Sequence, residues 1–127
     1  MIGVDIIEVA RIQGAIERQG ERFLKRVYTE AEVKYCEARG KFKFESLAGR
    51  FAAKEAISKV FGSGIRGISW RDIEILNNPE GKPEVFLHGQ AKELCARLKI
   101  GKIYVSISHI ELFAVAAAKG SLAAAGE

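Results

Sequence analysis

The sequence predicts an α+β fold in which a mostly antiparallel sheet packs around one long central helix. Three observations predict it. Apolar residues alternate with other residues near both ends of the chain, the pattern of strands with two unlike faces. A helix-favouring run from Glu45 to Phe61 contains no proline and only one glycine, Gly49. Two short apolar runs flank Asn77-Asn-Pro-Glu-Gly-Lys-Pro83, a turn-rich stretch that reads as the bend of a hairpin.

The elements follow in order. Ile2, Val4 and Ile6 alternate with Gly3 and Asp5, a strand with one apolar face. Ile12, Ile16, Phe23 and Val27 recur at helical spacing, with Gly20 as a break. Thr29-Glu-Ala-Glu32 has the spacing of a capping box and starts a helix that ends by Gly40. The central helix follows and is stopped by Gly62 and Gly64. Ile73 to Leu76 and Glu84 to Leu87 form the hairpin arms. Ala91, Leu94, Cys95 and Leu98 mark a short amphipathic helix over Gln90–Leu98. Ile103, Val105 and Ile107 alternate with Tyr104, Ser106 and Ser108, and a last strand spans Leu112–Lys119. Residues 121–127 are small and expected to fray.

Composition narrows the class of protein. The chain has 127 residues, 48% hydrophobic and 28% charged, the size and balance of one domain over 1–127 with one core. The N-terminus carries Asp5 and Glu8 where a secretory signal needs bases. The apolar run Leu112–Ala118 is too short to span a bilayer. A cytoplasmic protein without a membrane partner is expected. Cys36 and Cys95 lie far apart, in helical segments, and read as reduced apolar fillers. The net charge is +4, and between Arg11 and Arg26 five bases face two acids. A basic face of that kind attracts an acidic partner, or is simply a solvated helix side.

Two carboxylates break the pattern. Asp5 stands in the apolar strand, where an isolated charge needs a cation, a donor or open solvent. It could equally sit on the exposed side of an edge strand or cap the following helix. On the central helix, Ala48, Ala52, Glu55, Ala56 and Lys59 share one side. Three alanines around one acid suggest open space for a ligand, with Leu47 and Phe51 anchoring the helix beside it. Glu55 and Lys59 could also be only a surface i, i+4 pair. Two acids from different elements with a lysine beside them suit Mg²⁺ gripping phosphate oxygens, since that ion takes one or two protein carboxylates and completes its shell with water and phosphate.

Two stretches, Ile2-Gly-Val-Asp5-Ile-Ile-Glu-Val-Ala-Arg11-Ile and Gly49-Arg-Phe-Ala-Ala-Lys54-Glu55-Ala-Ile-Ser-Lys59, resemble the signature motifs of the holo-acyl-carrier-protein synthases, the short type of the 4′-phosphopantetheinyl transferase superfamily. Lesser likenesses follow in Phe61-Gly-Ser-Gly-Ile, Asp72-Ile-Glu-Ile, Gly81-Lys-Pro83 and Val105-Ser-Ile-Ser-His109. The resemblance covers essentially the whole chain. It implies transfer of 4′-phosphopantetheine from coenzyme A to a serine of apo acyl carrier protein, releasing adenosine 3′,5′-bisphosphate. It implies Asp5 and Glu55 as Mg²⁺ ligands, Glu55 orienting the serine, and Lys59 assisting the departing bisphosphate, all three catalytic. Arg50 and His109 become contacts for the nucleotide's 3′-phosphate, and Lys54, Ser58 and Gly62 join them as substrate-binding residues. Arg11, Arg18 and Arg22 become contacts for the acidic carrier, and a homotrimer with sites between subunits is implied.

Other readings of these residues remain at this point. His109 could be a turn residue at a strand end, Arg50 a surface pair with Glu45, and Ser106 and Ser108 polar strand positions. The competing function is a non-catalytic basic module for nucleic acid. Against it, the aromatic residues follow core spacing rather than forming a stacking platform, and such a module gives Asp5 and Glu55 no purpose. No nucleic acid partner is expected. A transferase serving polyketide or peptide-synthase carriers is the nearer rival, since carrier choice is not legible.

Overall fold

The computed structural model describes residues 1–62 and 67–123. Gly64, expected to help stop the central helix, lies outside them. A strand β1 (Ile2–Glu8) leads into α1 (Val9–Gln19), α2 (Glu21–Val27) and α3 (Glu30–Glu37). The central helix α4 (Lys43–Val60) follows a short 3₁₀ turn. The hairpin strands β2 (Ile73–Asn77) and β3 (Pro83–Leu87), helix α5 (Gly89–Arg97) and strands β4 (Ile100–His109) and β5 (Phe113–Leu122) complete the chain. The larger sheet is antiparallel in the order β1-β5-β4, and β2-β3 forms a separate two-stranded sheet.

Local chemistry explains the boundaries. Gly20 ends α1 at φ 57°, ψ −131°, a conformation a side chain would resist, and so the chain turns between α1 and α2. Thr29 and Glu32 form a complete capping box at the start of α3. The tail is more ordered than its composition suggests: Ser121 and Leu122 belong to β5, and Ala123 N donates to Lys99 O at 2.8 Å. Residues 124–127 lie outside the described ones. No helix among the described residues is long and apolar enough to cross a membrane.

Helix α4 lies on the larger sheet, and two expectations are corrected there. The alanine side of α4 is not open: Ala48, Ala52 and Ala56 are fully buried, facing the small inner residues Ala114, Ala116 and Ala118 of β5. Small residues on both surfaces let helix and sheet approach closely. For the same reason the apolar face of β1 points outward. Its inner row is Gly3, Asp5 and Ile7, while Val4 is 53% and Ile6 64% exposed. Cys36 and Cys95 are buried and free, as expected of filler residues.

Candidate active site

Asp5, Glu55 and Lys59 come together where β1 crosses the C-terminal half of α4. Lys59 Nζ donates to Val4 O at 2.7 Å and lies 3.4 Å from Asp5 Oδ1. Burial, and next the Asp5 charge, push the Glu55 carboxyl above its ordinary pKa, with Lys59 opposing. The two carboxylates therefore lie within range of each other's charge. Among the described residues no third His, Cys, Asp or Glu joins them, so the donor set cannot enclose an ion. It fits Mg²⁺ held from one side, the remaining positions being left to water and phosphate.

Lys54 and Ser58, expected at the substrate, point elsewhere. Lys54 is 0% exposed, and its ammonium donates to Val27 O (2.8 Å), Glu32 Oε1 (2.7 Å) and Trp70 O (3.0 Å). All three donors are spent inside the protein, and so Lys54 holds the fold instead of a ligand. Glu32 in turn accepts from Thr29 N at 2.8 Å and Ile75 N at 2.9 Å, tying α3, α4 and β2 together. Buried Ser58 donates to Glu55 O at 2.7 Å, one turn back along its own helix. Gly62 caps α4 at φ 84°, its N–H donating to Lys59 O at 3.0 Å.

Arg50 and His109 line a different recess, about 210 Å³ in volume, together with Tyr35, Arg39, Ser46, Asn77, Gly81 and Pro83. Arg50 is only 4% exposed. Its guanidinium stacks 4.3 Å from the centre of the Tyr35 ring, donates to Asn77 Oδ1, and reaches Ser46 Oγ at 3.4 Å. Its Nε is buried without a partner. A buried cation with an unused donor, beside Arg39 and His109, is chemistry suited to an anion. His109 Nδ1 lies 3.3 Å from Glu45 Oε1, the acid that the sequence offered to Arg50 instead. Asn77, Tyr35 and Arg39 were not visible as site residues. The only signal for Asn77 was its place at the start of the turn, where it read as a bend former.

Arg11 and Arg18 flank a groove of about 400 Å³ floored by Ile7, Ile12, Ala15, Phe23 and Phe51. Arg22 is exposed on α2 and is not part of that groove.

The residues and fold match known proteins closely. The family model for the 4′-phosphopantetheinyl transferase superfamily matches residues 1–118, and the chain belongs to that superfamily. Within it, the chain is 50% identical over 123 residues to the holo-[acyl-carrier-protein] synthase of Ruminiclostridium cellulolyticum, covering 96% of this chain and 92% of that one. Among solved structures, the holo-[acyl-carrier-protein] synthase of Helicobacter pylori in complex with coenzyme A superposes with a TM-score of 0.83 at 37% identity, covering 95% of this chain and all of that one. The Neisseria meningitidis enzyme of the same name gives 0.86 at 35% identity, covering 94% and 96%.

Proposed function

We propose that this chain is a single-domain holo-[acyl-carrier-protein] synthase, moving 4′-phosphopantetheine from coenzyme A to a serine of an apo acyl carrier protein. The observation that carries the reading is the acid pair of β1 and α4 with Lys59 beside it. The carrier serine Oγ attacks the phosphorus that bears the pantetheine arm. A P–O bond forms there as the hydroxyl proton passes to water, the bond to the bridging oxygen breaks, and adenosine 3′,5′-bisphosphate leaves with that oxygen. Asp5 and Glu55 would hold Mg²⁺, which supplies Lewis-acid polarisation of the phosphate when bound. Glu55 orients the attacking hydroxyl, and the Lys59 ammonium offsets charge on the departing bisphosphate. The Arg50–His109 recess takes the nucleotide's extra phosphate, and the groove between Arg11 and Arg18 takes the acidic carrier. A cytoplasmic location suits a reaction between coenzyme A and a soluble carrier.

The two halves of this site do not adjoin within one copy. Arg50 and Glu55 are five residues apart on α4, which turns them about 140° from each other around the helix axis. β1 and β4, which carry Asp5 and His109, are opposite edges of the sheet. A neighbouring copy can set its recess against these acids. The outer face that would make this contact is apolar, built from Val4, Ile6, Phe113, Val115 and Tyr104. This supports a homotrimer with sites between subunits. Sedimentation of Ile6→Glu should then give monomers without turnover, and a trimer of unchanged activity would refute the shared site.

The function is tested by incubating the protein with Mg²⁺, coenzyme A and an apo acyl carrier protein and weighing the carrier. The expected result is a gain of one phosphopantetheine, absent with chelator or in Asp5→Ala. No gain with any carrier, including those of polyketide and peptide synthases, would overturn the assignment.

A further inference from the structure

β1 meets α4 at a point where no side chain fits. Gly3 stands in the inner row of β1 with Asp5 and Ile7. A Cβ placed on it would lie 1.9 Å from Ala56 O, 2.9 Å from Ala56 C and 3.0 Å from Lys59 Cβ. The two nearest atoms are backbone, so no rotamer change relieves the clash. β1 is also held by its ladder, with Gly3 paired to Ala118 and Asp5 to Ala116. A side chain at position 3 must therefore part strand and helix by roughly 1.5 Å to reach ordinary van der Waals contact.

The same seam carries the acid pair. Ala56 follows Glu55 in the chain, and Lys59 reaches across to Val4 O and Asp5. Three successive residues of β1 are thus registered on Glu55, Ala56 and Lys59. Mg²⁺ tolerates little departure from octahedral geometry at about 2.0–2.1 Å, so the spacing of two ligands on separate elements is exacting. We propose that Gly3 is a positioning residue: its missing side chain sets the approach of β1 to α4 that lets Asp5 and Glu55 share one divalent ion. The proposal rests on the metal reading given above.

Gly49 provides the contrast. It faces the same sheet about two turns nearer the start of α4, where a Cβ would meet Ile107 Cγ2, a side-chain atom, at 2.8 Å, a milder approach than the one at Gly3. The experiment is calorimetric titration of Mg²⁺ into wild type, Gly3→Ala and Gly49→Ala, each saturated with coenzyme A, with melting curves of all three. Gly3→Ala should weaken Mg²⁺ binding about tenfold or more, while Gly49→Ala, whose contact a shift of the Ile107 side chain relieves, keeps it within about twofold of wild type. Should Gly3→Ala fail to fold, Ala118→Val sets a milder wedge beside Gly3, on the inner face of β5, and should weaken binding to a smaller but measurable degree. Unchanged Mg²⁺ affinity in a folded Gly3→Ala, or in Ala118→Val where that must replace it, overturns the proposal and leaves the metal reading standing. No Mg²⁺ binding by the wild type overturns both.

Discussion

Glu32 and Glu55 are both carboxylates beside the same helix, and the protein treats them in opposite ways. Glu32 is fully buried and satisfied by the Lys54 ammonium and by the N–H groups of Thr29 and Ile75. Glu55, next to Lys54 in the chain, is half-buried, faces a second acid, and is driven above its ordinary pKa by burial and by Asp5. One acid has been given every partner it needs; the other lacks a counter-charge equal to its surroundings. A structural charge is paired, whereas a charge kept for a ligand waits for one.

The comparison is broken most forcefully at Lys54. Lys54→Met leaves Glu32 buried without its cation, and stability measured by urea unfolding should fall by about 3–5 kcal/mol. A loss under about 1 kcal/mol would mean that the Glu32 region is not held by charge pairing at all. Next comes Glu55→Gln, which should keep the circular dichroism of the wild type while turnover drops about 100-fold or more. An unfolded variant would place Glu55 in the same structural class as Glu32.

A smaller effect follows from the titration of Glu55 in the metal-free protein. A carboxyl whose folded pKa is raised supports the fold below its unfolded pKa and loses that support as pH rises through the folded value. In the presence of chelator, the melting temperature of wild type relative to Glu55→Gln should therefore decline from pH 4 to pH 8. A constant difference would remove the strain assigned to Glu55. The smallest expected change is at the surface: Arg18→Glu should raise KM for the carrier about tenfold and leave KM for coenzyme A nearly unaltered, with an effect that shrinks in salt. Equal changes in both would remove the docking role.

The sequence made the carboxylates of the seam readable because Asp5 and Glu55 interrupt apolar patterns, and such interruptions need a physical reason. It misled at Lys54, whose place between Ala53 and Glu55 in a catalytic-looking motif gave no hint of Glu32, 22 residues away. Periodicity located β1 correctly but not its facing. Ile2, Val4 and Ile6 look like a core row, and only the packing of α4 on Gly3 and the alanines of β5 turns them outward. The Arg50 recess was half legible. Arg50 and His109 stood out as polar breaks, while Asn77 and Tyr35 become site residues only when β2 and α3 fold against α4.

The central claim is that Asp5 and Glu55 act as one pair on one ion. It is tested most directly by Mg²⁺ titration of the coenzyme A complex in wild type, Asp5→Asn, Glu55→Gln and the double variant. The account predicts that either single change removes most of the affinity and that the second adds little further loss. Independent, additive losses would contradict it.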